Sequence, residues 1–252
     1  MKIILKKLTL GAALLGALLM ISEVSAAEVR NVVLVHGAFA DGSGWKGVSD
    51  RLVAKGYKVA VVQEPLTSLE DDVRVTRQVI DSFDGPVVLV GHSYGGNIIT
   101  EAGVDPKVAS LVYVAANLPD VGESLADLFD RVPSPSASVI KSTPDGRLFL
   151  DPAQFRTAFA ADLPKSQTDF MAISQAAING KILGTKASVA AWKDKPTYAV
   201  LSGADKANDP KLQKFMYERA KAKVTEIKGA SHAVYISHPD KVAAVIEDAA
   251  NH

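Results

Sequence analysis

The chain has no cysteine among its 252 residues, which excludes disulfide cross-links, lipid attachment at a cysteine and thiolate catalysis. Its stability must come from its core. It also lacks an excess of either charge, with Lys+Arg and Asp+Glu both at 28, so nothing in the overall balance points to nucleic acid or an anionic surface. A small neutral partner fits better. No uncharged apolar run reaches the ~18 residues of a membrane-span candidate, and there is no internal repeat or low-complexity segment. A phosphate loop is missing as well. Gly37, Gly42 and Gly44 follow an apolar run without the spacing or the lysine of such a loop, and the G-x-G at 42 to 44 has no further glycine in register for a dinucleotide site. What remains, at 48% hydrophobic and 22% charged, is the composition of one globular domain with enough chain for a large core.

The N-terminus differs from the rest. Lys2, Lys6 and Lys7 precede the apolar stretch Leu8 to Ile21, and Ser25-Ala26-Ala27 supplies small residues suited to cleavage. This pattern predicts a secretory signal peptide over residues 1–27 and a mature domain over 28–252, exported to the periplasm or the medium with no stable membrane anchor after cleavage.

Within the domain, Val87 to Val90 is a β-branched apolar run without polar alternation, preceded by Gly85-Pro86, and reads as a strand buried on both faces. It runs directly into Gly91-His92-Ser93-Tyr94-Gly95, a G-x-S-x-G pattern, and then into the helix-compatible Asn97-Ile98-Ile99. A strand turning sharply into a helix leaves the serine strained and exposed at the sheet top, with glycines giving room around it. The spacing therefore predicts Ser93 as a nucleophile at a helix N-terminus, where free N–H groups favour developing negative charge.

Further strands are predicted over Asn31–Val35, Tyr57–Val62, Val108–Ala115, Thr197–Ser202 and Lys223–Ile227. Helices are predicted over Trp45–Lys55, Leu69–Phe83, Pro210–Ala220 and Pro239–Ala250. Regular alternation of this kind predicts an α/β fold, a mostly parallel doubly wound sheet with helices on both faces. Between Asn117 and Lys195 the rhythm breaks. Prolines at 119, 133, 135, 144, 152 and 164 separate short amphipathic pieces such as Ser124–Arg131, Pro152–Ala161 and Gln167–Asn179. These predict a small helical lid over about 117–195 that covers the sheet top and shapes a pocket.

His232 follows the strand ending at Ile227, which places it at the same sheet edge as Ser93 and after it in chain order, as a base for the serine should be. The acid should sit in another strand's C-terminal loop. Asp205, after Ser202, is the first choice, with Asp209 and Asp120 as competitors; Asp209 precedes Pro210 and is placed to cap the next helix. The oxyanion donors in this geometry are the N–H of the residue after the serine, Tyr94, and one from the loop after an earlier strand, Ala38.

Together VLVHGAFADGSGW, VVLVGHSYGG, YVAANLPD and GASHAVYISHPDKVAAVI resemble the α/β-hydrolase superfamily, in particular its small serine esterases related to plant methylesterases and hydroxynitrile lyases. The resemblance runs from about Val32 to the C-terminus and is weak in the lid. It implies Ser93, Asp205 and His232 as a triad, Ala38 and Tyr94 as oxyanion donors, a small-molecule ester as substrate, and no metal or organic cofactor. The lyases of that branch carry a lysine beside the catalytic histidine, where this chain has Ala233. That departure favours ester hydrolysis over cyanohydrin cleavage, unless a lid lysine such as Lys141 or Lys193 reaches the pocket. Other chemistry on the same fold, such as C–C hydrolysis, cofactor-free oxygenation or haloperoxidation, and a non-catalytic ligand-binding role are the competing readings.

Overall fold

The computed structural model describes residues 29–251. The expected signal segment, 1–27, lies outside the described residues.

The apolar runs become the middle of a sheet. Strand β1 (Asn31–Val35) leads through a 3-10 turn at Gly42–Trp45 into α1 (Lys46–Ala54), then β2 (Lys58–Val61), α2 (Leu69–Asp81), β3 (Val87–His92), α3 (Gly95–Ala102) and β4 (Val108–Val114). An excursion follows, made of α4 (Leu125–Arg131), β5 (Ile140–Ser142), β6 (Arg147–Leu150), α5 (Phe155–Phe159), α6 (Lys165–Ser174) and β7 (Ile178–Asn179). The alternation then resumes with β8 (Thr197–Ser202), α7 (Pro210–Arg219), β9 (Lys223–Ile227), α8 (Val234–Ser237) and α9 (Pro239–Ala250).

Six strands pair in the order β2-β1-β3-β4-β8-β9, every neighbour parallel. Because side chains alternate along a strand, β3 feeds both faces at once. Val88 and Val90 pack with Trp45, Leu52, Val242 and Ile246 on the side of α1 and α9. Val87 and Leu89 pack with Val73, Ile80, Ile98 and Leu212 on the side of α2, α3 and α7. Each such side chain contributes about 1.5–3 kcal/mol when fully buried, which is how a chain without cross-links holds together. Within this sheet, only the edge strand β9 shows a run of exposed residues, Lys223 to Glu226.

Two features position the site. All six strands point the same way, so the loops after β1, β3, β8 and β9 emerge at one edge. The chain also leaves β1 toward β2 and later returns to β3 on the other side of β1, which opens a crevice between the two exits at that edge.

The excursion differs in part from the expected set of helices. Short helices are there, but β5, β6 and β7 form a three-stranded antiparallel sheet among them. The piece expected as one helix over Gln167–Asn179 is α6, ending at Ser174, followed by β7. The two-residue strand β7 is fixed by its partners: Leu148 and Arg147 pair with it, and the Asn179 N–H donates to the Leu66 carbonyl at 3.0 Å. A pattern that short carries no periodicity of its own.

Candidate active site

Ser93 joins β3 to α3 with φ +53°, a left-handed backbone that strains a non-glycine residue by about 1–3 kcal/mol. Its surroundings hold it there. The Ser93 N–H donates to the Val114 carbonyl at 3.2 Å, and its own carbonyl accepts from Gly96 N at 2.9 Å and Asn117 N at 3.1 Å. The flanking glycines are needed for space: a Cβ on Gly91 would lie 2.5 Å from the Gly95 carbonyl oxygen, and one on Gly95 would lie 2.7 Å from that of His36.

His232 and Asp205 are brought together from the ends of β9 and β8. His232 Nδ1 donates to Asp205 Oδ2 at 2.7 Å, and both side chains are buried. With Nδ1–H committed to the carboxylate, Nε2 is left as the basic nitrogen. Asp205 is itself fixed by donors, Ala207 N at 2.8 Å and Asn208 N at 2.9 Å on Oδ1 and Gln213 Nε2 at 2.9 Å on Oδ2. The competing carboxylates lie elsewhere. Asp209 caps α7 by accepting from Lys211 N at 2.8 Å, and Asp120 forms an ion pair with Lys193. Although partial burial opposes ionisation, that ammonium holds Asp120 below the usual carboxylate range.

Three residues that the sequence did not single out as part of the site support His232. His92 Nε2 donates to the His232 carbonyl at 2.9 Å, and burial keeps the His92 pKa well below its ordinary value, so it does so as a neutral imidazole. Phe159 of α5 sets its ring edge-on to the His232 imidazole with centroids 4.8 Å apart. Gln213 of α7 bridges Asp205 to the Ser202 N–H. Their signals were weak: a histidine beside a motif serine, an apolar lid residue and a glutamine in a helix are each ordinary in sequence.

Ala38 follows Gly37, which lies against the serine: a Cβ on Gly37 would lie 2.6 Å from Ser93 Cβ. The N–H groups of Ala38 and Tyr94 have no acceptor among the described residues, whereas the adjacent Phe39 N–H donates to the Ala176 carbonyl at 3.2 Å. Both free donors sit on polar supports. His36 Nδ1 donates to the Gly37 carbonyl at 2.9 Å and Nε2 rests against the Glu64 carboxylate in a buried pair. Burial disfavours the imidazolium, but the hydrogen bond and charge of Glu64 outweigh it, so the His36 pKa lies above its ordinary value.

Tyr94 Oη donates to Asp72 Oδ2 at 2.7 Å, and Leu66 N donates to Oδ1 at 2.8 Å. Burial raises the Asp72 pKa, and the phenol works against that rise by favouring the charged form. Tyr94→Phe is therefore expected to destabilise the fold by about 1–3 kcal/mol at neutral pH, the penalty of an unmatched buried acceptor. Since the phenol favours the carboxylate, its contribution is present above the Asp72 titration and fades as pH falls through it. Urea unfolding at neutral pH and near pH ~4 checks this; an equal loss at both would contradict it.

Ser93, His232, Ala38 and Tyr94 all line one cavity of about 480 Å³. Its walls come from α4, β6, α5 and β7, so the excursion after β4 does enclose the sheet edge. The excursion is tied to the histidine loop, because Ala233 N donates to the Phe159 carbonyl at 3.1 Å and Ser231 N to Asp162 Oδ2 at 3.2 Å. Neither Lys141 nor Lys193 lines the cavity. A more open groove of about 650 Å³ along α2 holds none of these groups. Among the described residues no cluster of His, Asp or Glu side chains is placed to hold a metal ion, and no helix is long and apolar enough to cross a membrane.

Comparison with known proteins agrees with this geometry, since residues 32–245 match the alpha/beta hydrolase family. The chain belongs to that family. Among alpha/beta hydrolases it is similar to the carbendazim hydrolyzing esterase of Nocardioides sp. (strain SG-4G), 34% identical over 124 residues, or 44% of this chain and 51% of that protein. It is also similar to methylesterase 7 of Arabidopsis thaliana, 30% identical over 119 residues, 41% of this chain and 46% of the relative. The matched segment thus spans about half the length of each of these relatives. A solved pyrethroid hydrolase from Sphingobium faniae JZ-2 has the same fold, with a TM-score of 0.76 at 23% identity, covering 88% of this chain and 97% of the other. The likeness to the methylesterase branch expected from the core motifs is present.

Proposed function

We propose that this alpha/beta hydrolase is a serine esterase that cleaves small carboxylic esters through an acyl-enzyme. The observation that carries the reading is the buried His232–Asp205 hydrogen bond of 2.7 Å beside a strained serine in one cavity. Ser93 Oγ attacks the ester carbonyl while His232 Nε2 takes its proton. The tetrahedral oxyanion accepts hydrogen bonds from the Ala38 and Tyr94 N–H groups, which have no acceptor among the described residues. Collapse expels the alkoxide, which receives the proton from His232, and leaves the acyl group on Ser93. Water then repeats the sequence and releases the acid.

Asp205 keeps the imidazole in the tautomer this requires and balances the imidazolium. The chemistry asks for no metal or organic cofactor. Hydrolases and esterases among the relatives support the same reading. Ala233 and the absence of a lysine or arginine from the cavity wall among the described residues favour hydrolysis over cyanohydrin cleavage, which would need a fixed positive charge for departing cyanide. Export, read from the N-terminal residues, belongs to the same proposal and rests on sequence alone.

The test is turnover of p-nitrophenyl acetate, with a fluorophosphonate probe located by peptide mass spectrometry. Turnover and label on Ser93 are expected, with no cyanide released from mandelonitrile above the buffer rate. A protein that neither turns over the ester nor takes the label at Ser93 would overturn the proposal.

A further inference from the structure

The cavity wall is chemically one-sided. Leu125, Phe129, Leu148, Leu150, Phe159 and Ile178 give it an apolar surface, and among the described residues no lysine or arginine lines it. Most of its polar side chains are already engaged: Ser134 Oγ donates to the Lys206 carbonyl at 3.2 Å, Ser136 Oγ to the Ala158 carbonyl at 3.3 Å, and Tyr94 to Asp72. Outside Ser93 and His232, two polar side chains remain. Asp130, at the end of α4, is exposed and has no ion-pair partner among the described residues. Asn117 is buried, and its amide oxygen has no hydrogen-bond partner among the described residues.

These two residues act at different depths. A substrate carboxylate entering this cavity would leave water without meeting a cation, and would pass the negative charge of Asp130 on the way. A neutral ester meets neither obstacle. Asn117 is fixed next to the nucleophile, because its N–H donates to the Ser93 carbonyl at 3.1 Å. A carboxamide there can turn either its N–H groups or its oxygen toward a neighbour. In an otherwise apolar wall, an amide without a partner is a place for a polar atom of the substrate. The acyl chain stays covalently attached to Ser93 after the alcohol leaves, so it is the arm that the cavity holds through both half-reactions.

We propose that the site selects esters uncharged on the acyl arm, with an apolar acyl chain whose one recognised polar atom is met by Asn117. This rests on the serine-esterase reading and names its substrate class. The selection operates through desolvation and a missing cation rather than through shape. Asn117 is then a specificity-determining residue, and Asp130 a repulsive charge at the mouth.

The experiment uses the full chain with p-nitrophenyl hexanoate, three analogues with an ether oxygen in place of the third, fourth or fifth carbon, and the p-nitrophenyl half-ester of adipic acid. The neutral hexanoate is expected to exceed the adipate half-ester in kcat/KM by about 100-fold or more. Asp130→Lys is expected to narrow that ratio about 3- to 10-fold at low salt, with the change shrinking as salt screens it. Asn117→Leu, close in volume, is expected to lower the ratio of one oxa analogue to hexanoate about fivefold, mainly through KM, the size of one lost hydrogen bond.

An adipate half-ester cleaved within about threefold of hexanoate would overturn the charge selection. Equal effects of Asn117→Leu on all four neutral esters would make Asn117 structural and overturn its assignment. Failure to cleave any of the five esters would instead strike at the esterase reading itself.

Discussion

Asp205→Asn is expected to lower kcat by about 10⁴ with the fold intact and KM little changed, the loss that follows when a catalytic imidazole is held in the wrong tautomer. The reason is local. Oδ2 receives two donors, His232 Nδ1 and Gln213 Nε2, while Oδ1 receives the Ala207 and Asn208 N–H groups. An asparagine keeps its oxygen where the two backbone donors are, so its NH₂ faces the histidine. Gln213 cannot turn to accept from that NH₂ without giving up its bonds to Ser202 N and the Asn208 carbonyl. His232 then accepts at Nδ1 and carries its proton on Nε2, a donor where the proposed mechanism needs a base.

The same substitution at the competing carboxylates gives the contrast. Asp209→Asn preserves a good helix cap, and Asp120→Asn loosens only its ion pair with Lys193. Each is expected to change kcat less than about twofold, in line with the small contribution of such pairs. Steady-state kinetics with circular dichroism on the three variants decides; a large loss at Asp120 or Asp209 would move the acid to another strand.

The parts of this site that could be read in the sequence are those fixed by the strands. A run such as Val87 to Val90 has one way to be buried on both faces, and once six parallel strands are placed, their C-terminal loops must share an edge. Ser93 and His232 are placed at that edge, as is the loop carrying Ala38, whereas Asp205 is only the first choice there over Asp209 and Asp120. The supporting residues do not follow from it. Gln213 reaches Asp205 because α7 packs against β8, and His92 reaches the His232 carbonyl across 140 positions of chain. Such contacts are products of tertiary packing, and nothing in local spacing encodes them. The excursion after β4 is least legible for the same reason: β5 has three residues and β7 two, too few for either periodicity to register. Their conformation is set by partners such as Gln175, whose side-chain amide donates to the Leu150 carbonyl at 2.8 Å and accepts from Leu150 N at 2.7 Å.

Gly95→Ala is expected to lower kcat/KM by about 10² or more, the scale of losing one oxyanion donor, and to destabilise the fold by about 1–3 kcal/mol, as overpacking does. Helix propensity alone predicts the opposite sign, since alanine in place of a helical glycine is favoured by about 0.5–1 kcal/mol. Geometry decides between them. A methyl on Gly95 would lie 2.7 Å from the His36 carbonyl oxygen and 2.8 Å from that of Val35. Both are backbone atoms at the end of β1, so no side-chain rotation relieves the overlap. Either α3 moves, taking the Tyr94 N–H with it, or the end of β1 moves, taking Ala38. The two proposed oxyanion donors are thereby separated by a displacement of the helix from the strand, whichever yields. Gly184→Ala is the control, because a Cβ there meets nothing within 4 Å, and it is expected to leave both activity and melting temperature unchanged. Kinetics and thermal unfolding on the pair test the argument. A Gly95→Ala enzyme within about threefold of wild-type kcat/KM would show that the donors tolerate the shift, and that the oxyanion hole is held less finely than the loss of a whole donor implies.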